Sequence, residues 1–255
     1  MNPITRREML AKTGWLGSAA VATLPVALTS AEALPPKSST GQTKLKVIVT
    51  GGHPGDPEYG CGGTIARLSD AGHEVVILYL NKGEWTDKPS YDPAPVRVAE
   101  ATKACEILGA RPAFAGQIDG QAVVDQDHYA QFYRLLQAEQ PNVLFTQWPL
   151  DNHPDHRAVS NLTYEAWKRL GKKCPLYFYE VSNGEDTVQF SPTDYVDISA
   201  VVARKRSGCY AHASQNPDKF YALQEFVTRL RGMESGHPQA EGYIHHAQSP
   251  PLGLP

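Results

Sequence analysis

The chain has 255 residues, a formal charge of −3 at pH 7, and a composition that is 41% hydrophobic and 20% charged. This mildly acidic balance, without long basic runs, excludes the electrostatic footprint of a nucleic-acid-binding protein. The four cysteines, Cys61, Cys105, Cys174 and Cys209, form no C-x-x-C pair, so zinc-ribbon and thioredoxin-like readings have no support and buried free thiols are expected.

Residues 1–33 have the anatomy of an export signal: a basic start with Arg6-Arg7, an apolar run from Gly14 to Leu28, and a small-x-small ending at Ala31-Glu32-Ala33. Thr5-Arg6-Arg7-Glu8-Met9-Leu10 resembles the twin-arginine address of exported proteins. The apolar run is interrupted by Pro25 and falls short of the roughly 20 residues that span a bilayer. Cleavage after Ala33 is expected, leaving no stable membrane anchor and an exported protein, periplasmic or secreted. Residues 34–44 read as a polar linker, 45–245 as a single domain, and 246–255 as a flexible tail.

Leu45–Thr50 is the first expected strand, and Gly62 opens a helix that ends near Gly72. His73–Leu80 is a second strand, apolar through its later half as in a strand covered on both faces. Pro93 to Leu108 reads as a helix stopped by Gly109. A short strand at Arg111–Ala115, an amphipathic helix at Asp125–Glu139, and a strand at Asn142–Gln147 follow. Asp155–Leu170 reads as a helix, Pro175–Glu180 as a strand, and Asp197–Ala211 and Asp218–Gly232 as helices. The alternation predicts an α/β fold, a mostly parallel sheet with helices on both faces.

Such folds bind ligands where the carboxyl ends of the strands turn into helices. The loop after the first strand, GGHPGDPE, carries His53, Asp56 and Glu58. The loop after Asn142–Gln147 carries Asp151, His153, Asp155 and His156. Two clusters of metal-ligand types are thus expected on one rim. Hydrolytic zinc sites take three protein ligands from His and carboxylates and keep a fourth position open. Two His and one Asp suffice for one Zn2+ ion, and a spare His would serve as general acid or oxyanion stabiliser. Gly60, Gly62 and Gly63 do not form G-x-G-x-x-G, so a dinucleotide site is not supported. Glu84 and Trp85 follow the second strand on the same rim and can wall a sugar subsite, since aromatic faces suit carbohydrate rings.

GGHPGDPEYGCGGTIARL and NHPDHR resemble the paired signatures of the LmbE-like, or PIG-L-type, N-acetylglucosamine deacetylases, A-H-P-D-D-E and H-P-D-H. The likeness extends to Asn81-Lys82-Gly83-Glu84, to Arg97 and Glu100, to Asp119-Gly120, and to His212-Ala213-Ser214-Gln215. It implies a Rossmann-like fold and a zinc-dependent hydrolase that removes an acyl group from an amino sugar or related glycan. On this resemblance His53, Asp56 and His156 hold the metal. His153 stabilises the oxyanion or protonates the leaving amine, and Asp155 orients a His. Arg97 and Glu84 meet the substrate.

Two positions depart from the signature. Gly55 stands where the family has the Asp that takes a proton from the attacking water, and Pro57 precedes Glu58 where the Glu is expected. Three accounts stay open: another carboxylate, Glu58 first and Asp151 second, replaces the base; the metal acts with His153 alone; or the protein binds without turnover. The last is a different class, a metal-retaining periplasmic binding protein or pseudoenzyme. A metal-dependent hydrolase of another bond is a weaker third reading.

Overall fold

The computed structural model describes residues 44–84 and 92–252. The export signal, the linker up to Thr43, residues 85–91 with Trp85, and residues 253–255 lie outside the described residues. Seven strands form one sheet: β1 (Lys46–Gly51), β2 (Glu74–Tyr79), β3 (Arg111–Phe114), β4 (Val143–Gln147), β5 (Leu176–Tyr179), β6 (Asp194–Asp197) and β7 (Ala240–His245). The helices are α1 (Asp56–Asp70), α2 (Ala94–Leu108), α3 (Gln126–Glu139), α4 (Pro154–Arg169), α5 (Val202–Tyr210) and α6 (Pro217–Ser235). The strand order is β3-β2-β1-β4-β5-β7-β6. The first five strands are parallel, whereas β7 pairs antiparallel with both β5 and β6.

Alternation along the strands builds two cores. Val47, Val49, Val75, Ile77, Phe145 and Tyr177 pack on one face, and Ile48, Val76, Leu78, Leu144, Leu176 and Phe178 on the other. Successive side chains of a strand point to opposite faces, so an uninterrupted apolar run supplies both layers. Helix α1 brings Ile65 and Leu68 to the first layer; α3 and α4 bring Phe132, Leu136, Leu162 and Trp167 to the second. Each side chain buried this way stabilises by about 1.5–3 kcal/mol. Close packing of α1 on the sheet depends on Gly60: a Cβ there would lie 2.3 Å from Tyr179 Cδ2 and 2.7 Å from the Glu180 carbonyl oxygen.

The order 3-2-1-4-5 places the switch point between β1 and β4, where the sheet is joined in opposite directions. The two ligand-bearing loops leave β1 and β4 at that point. The expected parallel sheet with helices on both faces is therefore present, with two differences. Strand β6 at residues 194–197 has no counterpart in the sequence reading, and the helix expected over Asp197–Ala211 runs only from Val202 to Tyr210. Strand β7 has no counterpart in the sequence reading. The tail expected to be flexible from residue 246 is, through Leu252, held on the sheet. The His246 N–H donates to the Leu176 carbonyl, and the Tyr177 hydroxyl donates to the Leu252 carbonyl.

Candidate metal centre

Helix α1 begins at Asp56, six residues before the expected start at Gly62. Gly55 precedes it with φ +115°, a conformation that favours glycine, and Pro57 occupies the first turn, where its missing N–H costs nothing. Glu58 reaches back so that its carboxylate accepts from the Gly55 N–H at 3.2 Å, one half of a capping box. This start fixes the HPGD turn against the end of β1. Helix α4 starts in the same manner, with His153 as its cap and Pro154 next; His153 Nδ1 accepts from the Asp155 N–H at 3.2 Å.

These two helix starts bring five expected residues together. His53 Nδ1 and His156 Nε2 each lie 3.1 Å from the same atom, Asp56 Oδ2. Donors about 2.0–2.1 Å from a tetrahedral zinc ion are separated by about 3.3 Å, so two edges of a ligand polyhedron already have the right length. The other nitrogen of each ring is held by carboxylates. His53 Nε2 lies 3.1 Å from both Asp119 Oδ1 and Asp155 Oδ2, and His156 Nδ1 lies 3.0 Å from Asp151 Oδ1. Carboxylate–histidine pairs of this kind fix ring orientation around protein metals. Gly52 keeps the space free: a Cβ there would come within 3.0 Å of His156 and 3.1 Å of Asp56.

A second donor set, His53, His153 and His156, also has nitrogens within 4.8 Å of one another. Because His153 Nδ1 accepts the Asp155 N–H, its proton sits on Nε2, which makes that nitrogen a donor rather than a ligand. Asp56 Oδ2, 3.1 Å from a nitrogen of His53 and of His156, adds a carboxylate donor between the two rings. The ring of His153 stacks on His156 at 4.7 Å and meets His53 edge-on at 4.5 Å. It is half-buried. A third grouping, His53 with Asp119 and Asp155, converges on the single nitrogen His53 Nε2 and serves to orient that ring.

The charges of the site follow from this packing. Burial disfavours the protonated ring of His53, but Asp56, Asp119 and Asp155 outweigh it and lift the pKa well above the ordinary value. His156 is likewise opposed by burial yet raised to about 9 by Asp56 and Asp151. Burial works against ionised Asp56, but His156 and His53 hold its carboxyl well below the usual range. His153 goes the other way: burial, then the neighbouring His53 and His156, depress it and keep it neutral near pH 7. A metal-free site therefore holds two protons that a cation replaces.

The remaining expected residues fall around this cluster. Asp155 accepts from Asn81 Nδ2 at 3.0 Å and the Gly120 N–H at 2.8 Å as well as meeting His53. Arg97 is buried and donates to the Pro54 carbonyl at 2.9 Å, with Nη1 3.6 Å from Asp119 Oδ2, so it braces the ligand turn. Glu84 accepts from the Lys82 N–H at 3.0 Å within its own loop. Glu58 is fully buried against Tyr79 and His212. Asp151, the second candidate base, is occupied by His156, the His153 N–H and the Thr187 hydroxyl. The orienting role of Asp119 has no counterpart in the sequence reading, although its place in the loop after β3, on the same rim, is a signal for it.

A cluster of paired histidines and carboxylates on the carboxyl rim of a Rossmann-like sheet defines an α/β enzyme. The family model of GlcNAc-PI de-N-acetylases, PIG-L, matches residues 48–167. The diacetylchitobiose deacetylase of Thermococcus kodakarensis is 30% identical over 217 residues, 77% of this chain and 81% of that protein. Among solved structures, a conserved protein of Thermus thermophilus superposes with a TM-score of 0.69 at 28% identity, over 83% of this chain and 98% of that one. A 4-carboxy-2-hydroxymuconate hydratase of Pseudomonas putida shares the fold, with a TM-score of 0.71 at 22% identity over 83% of this chain and 100% of that one. The chain belongs to the PIG-L family.

Proposed function

We propose that this chain is a zinc-dependent deacetylase that hydrolyses the N-acyl amide of an amino sugar or related small glycan. The supporting observation is the shared carboxylate oxygen, Asp56 Oδ2, 3.1 Å from one nitrogen of His53 and one of His156, with both rings braced by further carboxylates. The 30% identical deacetylase of diacetylchitobiose supports the substrate class. His53, Asp56 and His156 would hold one Zn2+ ion. When bound, it supplies Lewis-acid polarisation of the acyl carbonyl and a lowered pKa for water.

The chain's own residues do the rest. His153, neutral and carrying its proton on Nε2, donates to the oxygen that becomes negative as the carbonyl carbon turns tetrahedral. In this reading the same N–H is the proton source for the departing amine. Asp155 and Asp119 keep the His53 ring in one orientation, and Asp151 does so for His156. Arg97, fixed on the ligand turn, supplies positive charge beside Asp119 for a sugar hydroxyl or the acetate product. The twin-arginine-like start supports action outside the cytoplasm.

Acetate release from N,N′-diacetylchitobiose and other N-acetylated amino sugars by the zinc-loaded protein tests this reading. Gly55 is the one observation that favours a binding protein instead. Retained zinc and bound sugar without acetate release across the panel would establish that alternative.

A further inference from the structure

Gln147 is the last residue of β4 and has no exposed surface. Val143 and Phe145 belong to the apolar layer that also holds α1, and strand alternation puts Gln147 on that same face. A buried amide at the end of an apolar row is held there by its hydrogen bonds. Its two ends make different ones. Oε1 accepts from the Gly52 N–H at 2.7 Å, and Nε2 donates to Asp56 Oδ2 at 3.4 Å. Swapping the ends would set a carbonyl oxygen against the carboxylate and an amide N–H against the Gly52 N–H. Only one orientation of the amide is therefore satisfied.

These contacts hold the ligand turn on both sides of His53. Gly52 lies immediately before it and Asp56 three residues after it, and one side chain from β4 reaches both. A Cβ at position 52 would lie 3.4 Å from Gln147 Oε1 and 3.1 Å from Asp56 Oδ2, so glycine lets the amide and the carboxylate close over the turn. Asp56 Oδ2 is approached by the His53 N–H at 2.8 Å, by His53 Nδ1 and His156 Nε2 at 3.1 Å each, and by Gln147 Nε2. The two ring nitrogens give up their protons when they serve as metal ligands. The His53 N–H and the Gln147 amide then remain as the donors that fix this oxygen.

We propose that Gln147 is a positioning residue of the metal centre, whose amide holds the Asp56 carboxylate between the His53 and His156 rings and ties the HPGD turn to β4; this rests on the metal reading above. Glutamine suits the task because it donates without bringing charge. A carboxylate at 147 would repel Asp56, and a lysine would compete with the cation for it. Gln147 is fully buried and acts through Asp56 alone. A separation of 3.4 Å is long for a hydrogen bond, so its effect belongs at the lower end of the range for groups that brace a metal ligand.

Gln147→Met keeps the length of the side chain and removes the donor. Competition with a zinc chelator is expected to show a roughly tenfold loss of zinc affinity. Cobalt(II) in place of zinc gives a readout that a merely structural role would not move: its visible absorption bands report the ligand geometry and are expected to shift in the variant. At saturating zinc, KM is expected to stay within about twofold of the parent while kcat falls severalfold, because Gln147 touches no substrate. Zinc affinity within about twofold of the parent, or a cobalt spectrum identical to the parent's, overturns the proposal. Should Gln147→Met not fold, Gln147→Asn, whose amide stops one methylene short, decides by the same two measurements. A parent that binds no zinc removes the metal reading and the role of Gln147 with it. A parent and a variant that bind zinc equally remove only the role of Gln147.

Discussion

Asp151→Asn isolates the contribution of one carboxylate behind the metal. Asp151 Oδ1 lies 3.0 Å from His156 Nδ1, and the carboxylate is also fixed by the His153 N–H and the Thr187 hydroxyl. Asn keeps the size and an acceptor oxygen, so the ring stays in place while the negative charge is lost. Removing such a partner lowers metal affinity about 10–100-fold, or about 1.4–2.7 kcal/mol. A second effect opposes this. Asp151 helps raise His156 to about 9, so its loss also weakens proton competition for the ring. The two separate with pH: the deficit of the variant is smaller at pH 7 and reaches its full size above pH 9, where the ring is neutral in both proteins. Competition with a zinc chelator on either side of that pKa, at about pH 7 and about pH 9.5, measures both on protein checked for an unchanged fold by circular dichroism. Equal zinc affinity in variant and parent at the higher pH would refute the carboxylate–histidine argument.

The raised pKa values of His53 and His156 make opposite predictions for metal-free and metal-loaded protein. Zinc affinity is expected to rise with pH toward about 9, since each ring proton displaced contributes up to about tenfold per pH unit. The protonated rings stabilise the metal-free fold most below the unfolded value of about 6.5, and that stability is lost as pH rises through about 9; melting temperatures of the metal-free protein should fall across this window. Lys205→Met tests the fold beneath the site. Lys205 Nζ donates to the Tyr59 carbonyl at 2.6 Å and to Glu241 at 2.5 Å, and Glu241 is buried. Glu241 keeps its hydrogen bonds from the Gly63 and Thr64 N–H groups and the Thr64 and Tyr243 hydroxyls but loses its counter-ion; breaking the buried pair should cost about 3–5 kcal/mol in urea denaturation, and a loss below about 1 kcal/mol would show the pair to be dispensable.

Most of the sheet was legible because β1, β2, β4 and β5 are short apolar runs bounded by Gly, Pro and polar residues. Strand β6, Asp-Tyr-Val-Asp, has one fully buried apolar side chain and sits at an edge, so no local signal separates it from the helix that follows. Strand β7 holds a Gly and a buried Glu241 whose partners, Lys205 and Thr64, come from distant helices. Its strand character is a tertiary effect. At the site, the proximity of His53, Asp56, His153, Asp155 and His156 was readable, because each ligand-bearing run follows a strand that ends at the switch point. The orientation of Glu58 was not. Nearness in sequence made it a candidate base, but starting α1 at Asp56 turns Glu58 back toward Gly55 and onto His212, 154 residues away. Only the folded chain brings Glu58 and His212 together.

The central claim is that His53, Asp56 and His156 form one zinc site, and elemental analysis of protein dialysed against a zinc-buffered solution tests it most directly. The parent chain should hold one zinc ion per molecule, and folded His156→Ala protein should hold none. Full zinc occupancy in the His156→Ala protein would contradict the assignment.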